Sequence, residues 1–220
     1  MPIDSPFNND NREYDYSQFP DQERSEYVTI IDLVPPNSTV LDLGCGNGAL
    51  LSRLHTIKNV AGTGMDISKS GVAICRQRGL SAQVGQIDRT LPFRDNEFDY
   101  AICNVTIQMV MYPEVLLREM KRVARFQIVS FPNFAFWRNR IDLLFNGRMP
   151  KRMLFEYSWY STGHIHQLSF VDFKELIDHV GGLQIVEQRL EQSDHPVKDI
   201  LMRKFPNLFQ MLGVFVLVKK

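Results

Sequence analysis

The chain has 220 residues, 44% of them apolar, with 25 basic and 25 acidic side chains and a formal net charge of zero. A globular chain of that length buries about 70% of its unfolded surface, and neutrality argues for neither a nucleic-acid partner nor an anionic membrane surface, and neither is expected. No apolar run approaches the ~20 residues that span a bilayer, and the start Met1-Pro2-Ile3-Asp4 lacks the basic-then-apolar layout of a signal peptide.

Residues 1–23 are rich in Asn, Asp, Gln and Ser without a hydrophobic period, and read as a mobile arm before a single domain over 24–220. Tyr27 to Val34 reads as the end of a helix, stopped by Pro35-Pro36. A strand is expected at 39–43, a helix at 48–57 and a second strand at 60–66. Ser68 is an N-cap for a helix that ends at Gly79. A short strand at 81–84, a loop over 85–97 and a fourth strand over 98–103 follow. The spacing of Val115, Leu116, Met120 and Val123 predicts a helix over 113–123. A fifth strand, 127–131, ends at Pro132. Segment 132–168 is aromatic, basic and too long for a simple connection. A helix over 169–181 opens at Ser169 and closes at Gly181-Gly182. Residues 183–190 and 213–218 read as an antiparallel pair at the sheet edge, and 192–212 carries no readable pattern. Strands alternating with helices give an α/β, Rossmann-like doubly wound sheet. The cysteines Cys45, Cys75 and Cys103 are odd in number and fall in turn, helix and strand, which suits reduced thiols in a cytoplasmic protein.

The chemistry concentrates in Val40-Leu-Asp-Leu-Gly-Cys-Gly-Asn-Gly-Ala49, a strand, a glycine turn and a helix start. Gly44 permits the turn, Gly46 lets bare backbone approach a ligand, and Gly48 allows close packing at the helix start. Gly44, Gly46 and Ala49 formally satisfy the dinucleotide pattern G-x-G-x-x-A. Asp42 argues against it: a carboxylate at the strand end repels a pyrophosphate and attracts an ammonium group. Asp66 closes the second strand and can accept hydrogen bonds from two ribose hydroxyls. Asp66 fits a nicotinamide dinucleotide equally, so Asp42 carries the discrimination in favour of S-adenosylmethionine.

With the loop Gly85-Gln86-Ile87-Asp88, Leu91-Pro-Phe93 and Phe98-Asp99, the sequence resembles class I S-adenosylmethionine-dependent methyltransferases. The resemblance implies seven mostly parallel strands, the last antiparallel, with an aromatic and basic insertion after strand five. It also implies that S-adenosylmethionine, or S-adenosylhomocysteine, is held by Asp42, Gly44, Cys45, Gly46 and Gly48 at the methionine end. Asp66 would meet the ribose and Gln86 the adenine, with Ile67, Ile87 and Asn104 also among the cofactor-binding residues. Most relatives carry Asp where Gln86 stands. Ile128-Val-Ser-Phe-Pro-Asn-Phe134, Trp137-Arg138, Gly147-Arg-Met-Pro150, Trp159-Tyr160, Ile165-His166 and Thr106-Ile-Gln108 narrow the likeness to the MetW family. That implies a cytosolic protein of methionine synthesis with a homoserine O-acyltransferase as partner.

Methyl transfer from a sulfonium asks chiefly for alignment and a dry site. Asn104, Gln108, Asn133, Tyr160, His164 and His166 are the polar candidates near the methyl. A metal at His164 and His166 would need a third ligand that the sequence does not indicate. Cys45 reads as a packing residue. Arg138, Arg140, Arg148, Lys151 and Arg152 among aromatics could contact RNA, against which the neutral charge weighs. Ile141, Leu143, Leu144 and Phe145 mark a short amphipathic element, either a lid over a small-molecule methyl acceptor or a docking face.

Overall fold

The computed structural model describes residues 24–150, 163–190 and 195–220. The expected arm 1–23 lies outside them, as do Lys151, Arg152, Trp159 and the candidate Tyr160. The elements are α1 (Ser25–Leu33), β1 (Thr39–Leu43), α2 (Ala49–Lys58), β2 (Ala61–Asp66), α3 (Lys69–Gln77), β3 (Ser81–Val84) and β4 (Phe98–Asn104). After a 3-10 turn at Ile107–Met109 come α4 (Pro113–Val123), β5 (Ala124–Pro132), α5 (Trp137–Asn146), α6 (Phe170–Val180), β6 (Leu183–Leu190), α7 (Pro196–Lys204), α8 (Pro206–Phe209) and β7 (Leu212–Lys219).

The strands form one sheet in the order β3-β2-β1-β4-β5-β7-β6. The first five pair in parallel, and β7 runs antiparallel between β5 and β6. This is the doubly wound, seven-stranded arrangement that the resemblance implies. Alternation along the strands feeds two cores. Leu41, Leu43, Ala101, Cys103, Val129, Phe131 and Phe215 face α4 and α6. Val40, Ile102, Ile128, Val214 and Val216 face α1 and α2. A sheet covered on both faces needs apolar residues at both alternate sets, which is why these strands read as continuous hydrophobic runs. Under α6 the rings of Phe131 and Phe215 stack at 5.3 Å, with Phe170 set edge-on to Phe131 at 5.7 Å.

Three parts differ from the sequence expectation. β5 begins at Ala124, ahead of its apolar run, because Phe126 is paired with Tyr100 and Val218 and its ring stacks on Tyr100 at 5.1 Å. The segment after β5 contains a full helix, α5, where the sequence pattern predicts only a short amphipathic element. Residues within 192–212 form α7 and α8. Among the described residues no helix is long and apolar enough to cross a membrane.

Ser169 starts α6 as expected. Its hydroxyl accepts from the Asp172 amide at 3.2 Å, and the Asp172 carboxylate accepts from the Ser169 amide at 2.7 Å. Losing a capping side chain of this kind costs about 1 kcal/mol. Ser169→Ala should therefore lower the urea midpoint by that equivalent with an unchanged denaturant slope; an unchanged midpoint would remove the cap from the account.

Candidate active site

The sheet order reverses between β1 and β4, and ligands of open α/β sheets bind outside the strand carboxyl ends at that switch point. The glycine turn lies there. Gly44 and Cys45 donate their amides to the Met65 carbonyl at 2.8 and 3.2 Å, which ties the turn to the end of β2. Gly44, Gly46 and Gly48 have φ of +83°, +54° and +77°, left-handed backbone that disfavours a side chain. A Cβ on Gly44 would stand 2.5 Å from the Thr106 side chain, and one on Gly48 would stand 2.8 Å from Cys75 Sγ and Leu80. The turn thus packs against the loop after β4 on one side and against α3 on the other.

Asp66 holds the turn. Its carboxylate accepts from the Gly46 amide at 2.7 Å and from the Ser68 amide at 2.8 Å. Burial nonetheless raises its pKa, with those amides pulling the other way. Asp42 is 2% exposed. Burial first, and the neighbouring Asp66 charge second, push its pKa from the ordinary 3.8 to about 7. No donor among the described residues bonds the Asp42 carboxylate. Two buried acids beside the glycine turn make a place for a cation carried on a polar ligand. That chemistry suits an aminoacyl sulfonium and opposes a pyrophosphate.

Further site residues sit around this turn. Ile67 follows Asp66 directly and is half-buried, and Ile87 is buried in the apolar wall. Gln86 is exposed, its Oε1 accepting from Arg89. The loop carrying them is pinned from α4. Arg122 donates to the Leu91 and Phe93 carbonyls at 2.9 and 2.7 Å and pairs with Glu119 and Asp95. Asn104 ends β4, its Oδ1 accepting from the Ser130 hydroxyl. Val105 follows with φ +50°, a costly conformation for a β-branched residue. Its amide bonds Ser130 twice, through the carbonyl at 3.0 Å and the hydroxyl at 3.1 Å. Thr106, turned by that kink, meets the glycine turn. The holding role of Ser130 has no local sequence signal; it follows from the β4–β5 register, which pairs it with Asn104.

The remaining candidates separate. Asn133 is fully buried and occupied: its Nδ2 donates to the Asn207 and Gln210 carbonyls at 3.0 Å and its Oδ1 accepts from the Ala135 amide. It fastens α8 to the end of β5. Cys45 lies against Gly64, where a Cβ would be 2.6 Å from its Sγ. A hydrogen bond with Cys75, and then burial, raise its pKa, so it stays a thiol. Gln108, His164 and His166 cluster beyond Thr106, where the Ile165 and His166 amides donate to the Gln108 carbonyl at 2.8 and 3.0 Å. Burial lowers the His164 pKa. Among the described residues no group of three or more His, Cys, Asp or Glu is placed to hold a metal.

The fold and the glycine turn define a methyltransferase-fold protein of the Rossmann-like kind. Among solved structures, an S-adenosylmethionine-dependent methyltransferase from Mesorhizobium loti superposes with a TM-score of 0.66 at 16% identity, covering 91% of this chain and 100% of that one. Magnesium protoporphyrin IX methyltransferase from Synechocystis, with bound S-adenosylhomocysteine, superposes with a TM-score of 0.60 at 17% identity, covering 89% and 82%. The family described as methionine biosynthesis protein MetW matches residues 24–217, and the chain belongs to that family. The bifunctional methionine biosynthesis protein MetXA/MetW of Rhodopirellula baltica is 34% identical over 168 residues, which cover 72% of this chain and 26% of that longer polypeptide.

The Asp42 shift predicts a pH dependence. Its folded pKa lies above its unfolded one, so its contribution is fully present below about pH 3.8 and is lost as pH rises to about 7. The loss runs at about 1.4 kcal/mol per pH unit across that window. Asp42→Asn should flatten this slope and make the ligand-free protein more stable than the parent at about pH 8. Urea unfolding at the two ends of the window measures it, and equal slopes in both proteins would refute the burial account.

Proposed function

We propose that the chain binds S-adenosylmethionine at the glycine turn and works in methionine biosynthesis beside a homoserine O-acyltransferase. The observation that carries the cofactor reading is the uncompensated, buried Asp42 carboxylate at the switch point. An ammonium group placed there regains a charge-assisted hydrogen bond. Asp66, already shaping the turn, keeps lone pairs free for ribose hydroxyls, since a carboxylate has about four acceptor sites. Gln86 and Ile87 supply the adenine edge and wall, and Asn104 the rim. S-adenosylmethionine would bring an electrophilic methyl group on a sulfonium. The chain's own residues would orient it and, through the buried wall, exclude water.

The partner reading rests on the joined MetXA and MetW parts of the Rhodopirellula protein and on α5. Asn139, buried and donating to the Phe134 carbonyl at 3.0 Å, anchors this helix. Its apolar residues point away from the core: Leu144 is 75% and Phe145 76% exposed, with Ile141 and Leu143 about half exposed. Trp137 lies beside them, with the Arg138 guanidinium 5.2 Å over its ring. An apolar face flanked by Trp and Arg fits a protein partner, and the acyltransferase is the one we assign.

Asp66→Ala should weaken S-adenosylhomocysteine binding by about 1–3 kcal/mol. Calorimetry with that ligand and with its 2′-deoxyribose counterpart separates the ribose contact from the shape of the turn. An equal loss for both ligands would leave Asp66 a purely structural role. Trp137→Ala should weaken capture of the co-expressed acyltransferase while leaving nucleotide affinity unchanged. Undiminished capture would take α5 out of the interface.

A further inference from the structure

The switch point carries a free acceptor and a free donor on one side of the sheet. Asp42 shares its face of β1 with Val40, and Asn104 shares its face of β4 with Ile102, the face that α1 and α2 cover. Asp42 pairs with Ile102 in the β1–β4 register, so Asn104 stands one strand across and two residues nearer the carboxyl edge. Strand geometry puts their Cα atoms roughly 8 Å apart. Neither oxygen of Asp42 has a donor among the described residues, and neither is sealed from solvent, although the residue is 2% exposed. Asn104 Nδ2 is the matching donor, unbonded among the described residues and open to solvent.

Ser130 decides which end of the Asn104 amide faces outward. It is fully buried, and its Oγ accepts from the Val105 amide at 3.1 Å. Its own proton then needs an acceptor, and Asn104 Oδ1 takes it. With the amide turned over, two donors would meet and the buried hydroxyl proton would lose its partner, which is costly. The Asn104 carbonyl is committed too, accepting from the Thr106 hydroxyl at 2.9 Å. Only Nδ2 is left to give, on a side chain whose orientation is already fixed. A donor held this way loses little freedom when a ligand arrives.

We propose that Asp42 and Asn104 form a clamp for an α-amino-acid zwitterion, with Ser130 as its positioning residue. The Asp42 carboxylate receives the ammonium group. Asn104 Nδ2 donates to the carboxylate on the same carbon. Ser130 keeps the amide turned so that a donor, and not an acceptor, meets that carboxylate. The inference rests on the S-adenosylmethionine reading and adds a requirement to it: the ligand's carboxylate is read by a side chain of β4, beside the ammonium read from β1.

The test is calorimetry on the full chain with three nucleosides that differ only in the tail on sulfur. They are S-adenosylhomocysteine, its decarboxylated amine, and 5′-methylthioadenosine, which has neither charge. The parent should bind S-adenosylhomocysteine at least about tenfold tighter than the amine, the effect of one hydrogen bond to a charged group. Asn104→Ala should erase that preference, weakening S-adenosylhomocysteine about tenfold and leaving the amine within about twofold. Asn104→Asp should weaken S-adenosylhomocysteine further and tighten the amine, because it sets a second negative charge in the site. Asp42→Asn should weaken both charged ligands and leave 5′-methylthioadenosine unchanged. Ser130→Ala should lower the preference at least about threefold, and Ser130→Thr, which keeps the hydroxyl, should restore it. A merely structural loss would weaken all three nucleosides alike. If the Ser130 variants fail to fold, the two Asn104 variants decide. An unchanged preference in Asn104→Ala, or a parent that binds the amine as tightly as S-adenosylhomocysteine, overturns the clamp and leaves the S-adenosylmethionine reading standing. If none of the three binds the parent, that reading falls and the clamp with it.

Discussion

Everything at the switch point hangs on the Asp66 carboxylate. One oxygen takes the Gly46 amide and the other the Ser68 amide. A single side chain at the end of β2 thereby fixes the turn after β1 and the start of α3, where Ser68 in turn caps the helix by accepting from Gly71 at 3.1 Å. These backbone bonds favour the ionised form, and burial disfavours it; the net shift is upward. The glycines follow from this clasp. A turn drawn back onto β2, against α3 and against Thr106, leaves no volume for a Cβ at Gly44 or Gly48.

The same compaction creates the site's charge problem. Asp42 is carried into the interior by β1, paired with Gly64 on one side and Ile102 on the other. It feels Asp66 and has no hydrogen-bond donor among the described residues. Folding alone would favour a neutral residue there. A buried charge kept at the expense of stability is a common mark of a functional site. Val105 repeats the pattern in the backbone, where a strained φ is held by two bonds to Ser130 and delivers Thr106 to the turn. Strain and uncompensated charge therefore lie on facing sides of one glycine loop.

What the sequence made legible is what local physics specifies. The strands over 39–43 and 81–84 and the helix over 113–123 coincide with β1, β3 and α4, because alternation, caps and helical spacing act within a few residues. Asp42, the glycines and Asp66 are legible for the same reason, being strand ends and turns. α5 was harder to read because its apolar residues face outward, so its pattern does not report a core. α7 and α8 belong to the chain between β6 and β7 and lean on distant residues; Asn133, for instance, binds the Asn207 and Gln210 carbonyls. The unbonded Oε1 of Gln108 has no sequence signature at all, since hydrogen-bond deficit is a property of the packed whole.

The described ends of the insertion are hydrogen-bonded to each other. Phe134 donates its amide to the Leu168 carbonyl at 3.0 Å, and Pro132 and Phe134 also wall a small void beside Gln108. Phe134 further accepts from Asn139, the buried anchor of α5. A partner seated on the exposed face of α5 would therefore load the helix that this short strip holds, and the strip borders the space around His166. Close-packed interiors transmit such displacements because they have no slack to absorb them. The lid and docking readings of the segment after β5 thus meet in one strip of chain, Pro132 to Asn139, which the hydrogen bonds of Phe134 and Asn139 fix in place.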